Sequence, residues 1–367
     1  MNKIACISAA ILASFPLLAA GPGQAGDPVS IDCHCIGGTR TVLFTASGAD
    51  GPCRWDFGDG CRYVGKDPIH TYASDKAAYK VTVRTGGRSA VKEIGVSGGT
   101  GTASSLFWRR DSLQIPEIVS EQPVQYKKVG HHGPAVENAG FALRLYFNDS
   151  GAIDIYSKSG KQMELRKYLW YPTVDQQASE GAGCDEYMVG KTVGVGGIAL
   201  WDGSREVKLK ATRGRTARVG STDCGSFAEI ISYGVQCGEE SYDISVRVDV
   251  TDGDRTATVT ARELNGKKVR FLTGVNLHPG SDVRVARGYA CVWGVHPSDV
   301  SKNPIPLGAG IIYDPAVFRK SYMTDDMVRL VSVRTSCVST RVASASTKES
   351  AICTADLFEA FVRDLSR

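Results

Sequence analysis

Residues 131–158 read HHGPAVENAGFALRLYFNDSGAIDIYSK. Phe141, Leu143, Leu145 and Phe147 alternate with Ala142, Arg144, Tyr146 and Asn148. After the Asn148-Asp-Ser-Gly151 turn, Ile153 and Ile155 alternate with Asp154, Tyr156 and Lys158. Successive side chains of a strand point to opposite faces, so this is an antiparallel hairpin with one apolar face. Arg144, Tyr146, Asp154, Tyr156 and Lys158 share the other. A solvated face with cross-strand ion pairs is the plainest account of such a set. The approach to the hairpin argues for more. His131 and His132 precede a Gly-Pro that fixes the backbone, and Glu137 and Asn138 follow closely. Histidine is the side chain whose ordinary pKa lies nearest neutrality.

The rest of the second half repeats the strand signature. Short β segments are expected at 152–156, 207–211, 226–235, 242–250, 256–264 and 310–313, separated by Gly, Asn and Asp turns. Ser245–Val250, an Asp252-Gly253 turn and Arg255–Val259 read as a second hairpin. Leu357, Phe358, Phe361, Val362 and Leu365 recur at helical spacing after Thr354, a suitable N-cap, so a C-terminal packing helix is expected. The fold class is therefore all-β, with two β-sandwich units and one terminal helix.

The start of the chain has a different character. Lys3, an apolar stretch broken by Pro16, and small residues near Ala20–Ala25 read as a cleaved signal peptide over 1–25. Secretion or periplasmic export follows, with no integral membrane segment. Ten cysteines then remain, and an even count in an exported chain favours disulfides. Cys224 with Cys237, and Cys337 with Cys353, could close local loops, leaving Cys184 and Cys291 to each other or free. A formal net charge of +4 over 367 residues is too small to suggest nucleic acid as a partner. Gly, Ser and Thr dominate 98–106, a composition that reads as a flexible linker between units at 29–97 and 107–367.

Other polar groups are candidates for binding. Asp185 and Lys191 lie in a glycine-rich run over 183–197 whose spacing does not match a phosphate loop. Its glycines suit close backbone approach or turns. Arg213 and Arg215 could grip a carboxylate together, and Trp293 could stack on a sugar ring or fill the core. Asp56 and Asp59 could hold Ca²⁺, although a turn role is simpler; no other cofactor is expected, and no metal ligand set is assigned.

Two resemblances sharpen these expectations. Trp55-Asp-Phe-Gly-Asp-Gly60, His70-Thr-Tyr72 and Tyr79-Lys-Val-Thr-Val83 resemble the polycystic-kidney-disease (PKD) module. That implies an immunoglobulin-like β-sandwich serving as a spacer or weak polysaccharide binder. From Tyr126 onward, HHGPAVEN, RLYFNDSGAIDIYSK, TRGR, LTGVNLHPG, YACVWGVHPSD and PLGAGIIYDP resemble the bacterial domain of unknown function 4861. That resemblance implies an association with breakdown of pectin-type polysaccharides. A supersandwich like that of galactose mutarotase is the architecture expected for the large unit.

The reading that joins these expectations is an enzyme degrading a uronate-containing polysaccharide or oligosaccharide by β-elimination. The reaction needs carboxylate neutralisation, a base for the C5 proton and an acid for the leaving oxygen. Asn138 or Arg144 suits the first, and His131, His132, Tyr146 or Tyr156 the others. Asp154, Lys158, Asp185, Lys191, Arg213, Arg215 and Trp293 are expected to bind substrate. The alternatives are hydrolysis by a carboxylate pair drawn from Glu137, Asp154 and Asp185, or sugar binding without catalysis.

Overall fold

The structure is a computed structural model that describes residues 28–35, 40–49, 51–72, 76–96, 101–121, 125–158, 162–297, 301, 303–349 and 351–367. The expected signal peptide lies outside them. Strands dominate, as the alternating patterns require. The N-terminal unit is a small two-sheet sandwich. One sheet holds Ser30–Cys35, Thr41–Ser47 and Ile69–Thr71; the other holds Arg62–Val64, Arg54–Asp56, Lys76–Thr85 and Arg88–Val96. Val42, Phe44, Trp55, Phe57, Tyr79, Val81 and Val83 fill the space between them.

The second unit is built on a nine-stranded antiparallel sheet. Its order runs Asp282–Ala286, Tyr289–Val295, Pro306–Tyr313, Cys337–Ser346, Thr256–Glu263, Glu240–Thr251, Gly225–Cys237, Arg215–Thr222 and Glu117–Ser120. The expected Asp-Gly hairpin is its centre: Val250 faces Ala257, and Gly253 takes φ 73° in the turn. Val246, Val248 and Val250 point into the main core. Fully burying each such side chain is worth about 1.5–3 kcal/mol.

Two five-stranded sheets share that core. One runs Glu206–Val207, Ala199–Trp201, Phe271–Asn276, Met327–Val331 and Lys320–Met323. The other runs Cys184–Asp185, Ile153–Ser157, Ala142–Leu145, Ala135–Asn138 and Thr102–Ser105. In the latter, Val136, Leu143, Leu145, Ile153 and Ile155 face the core, so the polar set faces away from it. The C-terminal helix Ala355–Leu365 covers the outer face of the large sheet. Thr354 Oγ1 accepts from Leu357 N at 3.3 Å, and Phe358, Phe361 and Val362 are its buried stripe. Ile69 of the N-terminal unit joins the same apolar cluster.

Several expectations fail for physical reasons. The stretch 98–106 is not a flexible linker throughout, because Thr102–Ser105 pairs with Ala135–Asn138. Its small side chains let this strand lie close to the large sheet, where Thr102 Oγ1 meets Ser226 Oγ at 2.7 Å. Residues 97–100 lie outside the described set. Of the segment expected at 207–211 only Val207, the end of the strand Glu206–Val207, is strand. A helix at Val174–Glu180 was not anticipated; Thr173 and Gln176 form its capping box. Cys224 and Cys237 cannot pair, because the 13-residue strand Gly225–Cys237 holds them about 40 Å apart. Among the described residues nine cysteines, including 184, 291, 337 and 353, are free thiols.

Replacing Phe358 by Ala should remove the anchor of the terminal helix, as this side chain is fully buried. We expect a loss of about 3–5 kcal/mol, read as a lowered denaturant midpoint.

Candidate functional site

The register of the hairpin places Arg144 directly opposite Asp154, and Tyr156 opposite Asp185. The polar face is therefore one continuous array, but it is not solvated. Glu137 and Asp154 are fully buried and Arg144 is 1% exposed. Residues 164–171 lie over it and bond to it.

Half of the array is a clasp. Glu137 accepts from Glu164 N and Leu165 N, each at 2.8 Å, and pairs with Lys158 Nζ at 3.0 Å. Lys158 also donates to the Asn138 carbonyl at 2.7 Å. Tyr156 donates to Glu164 Oε2 at 2.8 Å, which also takes Gly183 N at 2.7 Å. A Cβ on Gly183 would meet Ser157 O at 2.3 Å, so the close approach needs glycine there. Burial pushes the Tyr156 phenol and the Glu164 carboxyl upward. Asn138 caps the next turn through Gly140 N at 2.9 Å and donates to the Asp254 carbonyl at 2.8 Å. Every one of these side chains is committed to fastening the covering segment or the turn.

The other half is electrostatically unbalanced. Arg144 Nη2 contacts both Asp154 Oδ2 and Asp185 Oδ2, the latter at 2.5 Å. Tyr146 donates to the same Asp154 oxygen at 2.9 Å. Two buried carboxylates share one guanidinium. Burial first, and then the Asp185 charge, push the Asp154 pKa upward against the pull of Arg144. The Arg144 guanidinium also lies 5.4 Å from the Tyr171 ring centroid.

His131 and His132 both adopt left-handed backbone, at φ 53° and 63°. That conformation is costly for residues bearing a Cβ, and it sends adjacent imidazoles to different places. His131 is buried and donates from Nε2 to the Leu165 carbonyl at 2.7 Å. Burial pushes its pKa down to about 4. His132 is half-buried, and its Nε2 lies 2.8 Å from the Tyr171 hydroxyl. Its ring meets those of Trp170 at 4.8 Å and Tyr126 at 5.3 Å. Burial, then the Arg144 charge, hold its pKa below 6.5, which the Tyr126 backbone only partly offsets. The Tyr171 phenol is pushed up by burial, so it keeps its proton at neutral pH.

A cleft of about 580 Å³ is lined by Trp108, Arg109, Arg110, Gln125, Lys127 and Lys128; neither His132 nor Tyr171 lines it. The Arg109 guanidinium sits 3.8 Å over the Trp170 ring, which in turn packs on His132. Arg110 is partly offset by Asp111 at 3.4 Å.

The remaining expected binding residues lie elsewhere. Arg213 pairs with Asp243 at 2.5 Å, and Arg215 is buried against Asp149 at 2.8 Å and the Leu209 carbonyl. The two arginines therefore do not grip one anion. Lys191 is exposed, and Trp293 packs on Phe358 beneath the terminal helix. Asp56 caps Gly58 N and pairs with Arg62, whereas Asp59 caps Cys61 N and meets His70; the two acids serve separate turns.

Sequence reading missed Trp170 and Tyr171, whose only signal was an aromatic pair before Pro172. It also missed a histidine pair. His278 donates to the Met188 carbonyl at 2.9 Å, while His296 Nδ1 accepts from Met188 N at 3.1 Å. Their rings are 4.4 Å apart, and burial pushes His296 down to about 3. Two His-Pro dipeptides, at 278–279 and 296–297, were the available signal.

The pattern of the family described as Domain of unknown function (DUF4861) matches residues 73–367. It begins earlier than the motifs after Tyr126 and takes in the last two strands of the N-terminal unit. Among solved structures, 4-alpha-glucanotransferase from Thermococcus litoralis aligns at 8% identity and TM-score 0.30 over 64% of this chain. The aligned region spans 42% of that protein's length. No curated protein matches.

Replacing Arg144 by Met should leave two uncompensated buried acids and cost about 3–5 kcal/mol at neutral pH. Without the guanidinium the folded-state pKa of Asp154 rises further above the unfolded value. The folded variant then holds protons that the unfolded chain, with carboxyls near pKa 3.9, has lost. Its deficit against the parent should be smallest in acid and widen as pH rises through the range where the parent's Asp154, pushed up to about 8, ionises and the variant's does not. Urea titrations across pH check this; a pH-independent deficit would refute the shared-charge account.

Proposed function

The chain belongs to the DUF4861 family, and we propose that it is an exported enzyme cleaving a uronate-containing polysaccharide by β-elimination. The observation that carries this reading is the His132–Tyr171 pair, at 2.8 Å, placed one aromatic ring away from a cationic cleft. Trp108 offers a flat face for a sugar ring, and Arg109, Lys127 and Lys128 attract the carboxylates of an anionic polymer. Cationic groups at the carboxylate stabilise the enolate that forms when C5 loses its proton.

In this proposal His132 and Tyr171 move the proton together. One of them takes the C5 proton, the C4–O bond breaks, and the leaving oxygen receives a proton from the pair. The hydrogen bond between them restores the starting state, so no co-reactant is consumed. Arg144 does not meet substrate. It holds Asp154 and Asp185, keeps a positive charge behind Tyr171, and favours neutral His132.

Hydrolysis is the second reading, favoured by one feature: Asp154, pushed toward its acid form, stands beside Asp185 across a single guanidinium nitrogen. Their burial argues against it. Product analysis on pectin, alginate and glucuronan separates the two. Ultraviolet absorbance from unsaturated uronate supports elimination. New reducing ends without that absorbance support hydrolysis and overturn the proposal.

Tyr171→Phe keeps the ring but removes the hydroxyl. It should lower kcat by about 10²–10⁴-fold with an unchanged Tm, and His132→Ala should act likewise. Parental turnover in either variant removes that residue from the mechanism. Because His132 is held below 6.5, its base form persists into mild acid. The acid limb of kcat/KM should therefore fall below pH 6.5. Converting Lys127 and Lys128 together to Ala should raise KM on anionic polymer and leave kcat nearly intact.

A further inference from the structure

Asp59, Cys61 and His70 stand together in the N-terminal unit, with one donor atom from each lying within 4.8 Å of the other two. Sequence and fold make this grouping a rigid one. The Asp59-Gly60-Cys61 turn follows the strand Arg54–Asp56. Gly60 takes φ 96° there, and Asp59 Oδ1 accepts from Cys61 N at 3.0 Å. That bond directs Oδ2 at His70 Nε2, 2.7 Å away. The imidazole cannot swing freely. It lies flat on Phe57, with centroids 4.1 Å apart and planes at 4°, and edge-on to Tyr72 at 4.6 Å. The Asp59 and His70 side chains are 14% and 13% exposed, while Cys61 is open to solvent and can turn.

From this geometry we propose that Asp59, Cys61 and His70 form a binding site for Zn²⁺. The donor set mixes oxygen, thiolate sulfur and imidazole nitrogen, the types Zn²⁺ takes in tetrahedral sites. Bond lengths of about 2.0–2.3 Å require donors roughly 3.3–3.6 Å apart. The Asp59–His70 contact needs to open slightly and the Cys61 side chain to rotate inward. On binding, Cys61 releases its proton to solvent and the imidazole proton resides on Nδ1, leaving Nε2 for the metal.

The surroundings supply a fourth position and a reason for the site. Cys61 and His70 line a cleft of about 520 Å³ between the two units, whose far wall includes Phe361, Asp364 and Arg367. Asp364 accepts Ile69 N at 3.1 Å through Oδ2, while its buried Oδ1 faces Arg367 Nη1 at 3.6 Å. The Asp364 side chain is 8% exposed. A cation at the site would find this second carboxylate across the cleft, bonded to the amide of Ile69, the residue beside His70. Because Cys61 and His70 line the cleft at the junction of the two units, a metal held there would brace that junction.

The full chain, treated with chelator and thiol reductant, is titrated with Zn²⁺ and separately with Co²⁺ as a spectroscopic probe. We expect one equivalent to bind, a thiolate-to-cobalt charge-transfer band, and a raised Tm with Zn²⁺. Cys61→Ser should lose the band. Asp59→Asn, which keeps the turn through its side-chain oxygen, should lose the Tm gain; both variants should retain the metal-free Tm. Failure to bind one equivalent, an unchanged band in Cys61→Ser, or Cys61 found in a disulfide in the natively exported protein would each overturn the proposal.

Discussion

One guanidinium between two buried carboxylates governs the second unit. Arg144 reaches Asp154 across the hairpin and Asp185 from the adjoining two-residue strand. Each acid alone in that interior would be a severe penalty, and so would the cation. Together they leave one excess negative charge, which a proton on Asp154 or the Tyr146 hydroxyl moderates. This requirement explains why the covering segment must close. Water left over the array would weaken the pairing, whereas the segment around Leu165–Tyr171 excludes it and is itself fastened by Glu137 and Glu164.

The same closure brings Tyr171 to His132. Tyr171 arrives on the covering segment and His132 on the strained turn before the hairpin, so their contact exists only when the segment is seated. The clasp thus positions Tyr171, and its acids are stability residues that would set the geometry of the proposed proton transfer. The left-handed conformation of two consecutive histidines fits this account. Such strain persists only where neighbouring contacts over-determine it, and here the Leu165 carbonyl and the Tyr171 hydroxyl hold the two rings apart.

The hairpin and its polar face were legible because strand alternation is a local rule and Asn148–Gly151 sets the register. The terminal helix was legible for the same kind of reason: a stripe at 3.6-residue spacing behind a threonine cap. What escaped reading depended on contacts distant in sequence. Nothing around Trp170-Tyr171 has a period, so its return over the sheet left no signal. Adjacent histidines look equivalent until the backbone separates them. Arg213 and Arg215, two residues apart, appeared to share a task, yet Asp243 and Asp149 claim them separately. The Thr102–Ser105 segment showed the reverse error. Small residues that suggest looseness are also the ones that fit where two sheets nearly touch.

The bond from Ile69 to Asp364 joins groups 295 positions apart. During synthesis, the N-terminal unit leaves the ribosome with Ile69 and part of Leu43 facing water. Their cover, Phe358, Phe361 and Val362, emerges only after nearly all the intervening chain. Vectorial folding therefore has a long interval in which an apolar patch is bare. Exported or not, the nascent chain needs either slow release or a holding factor until its last helix docks.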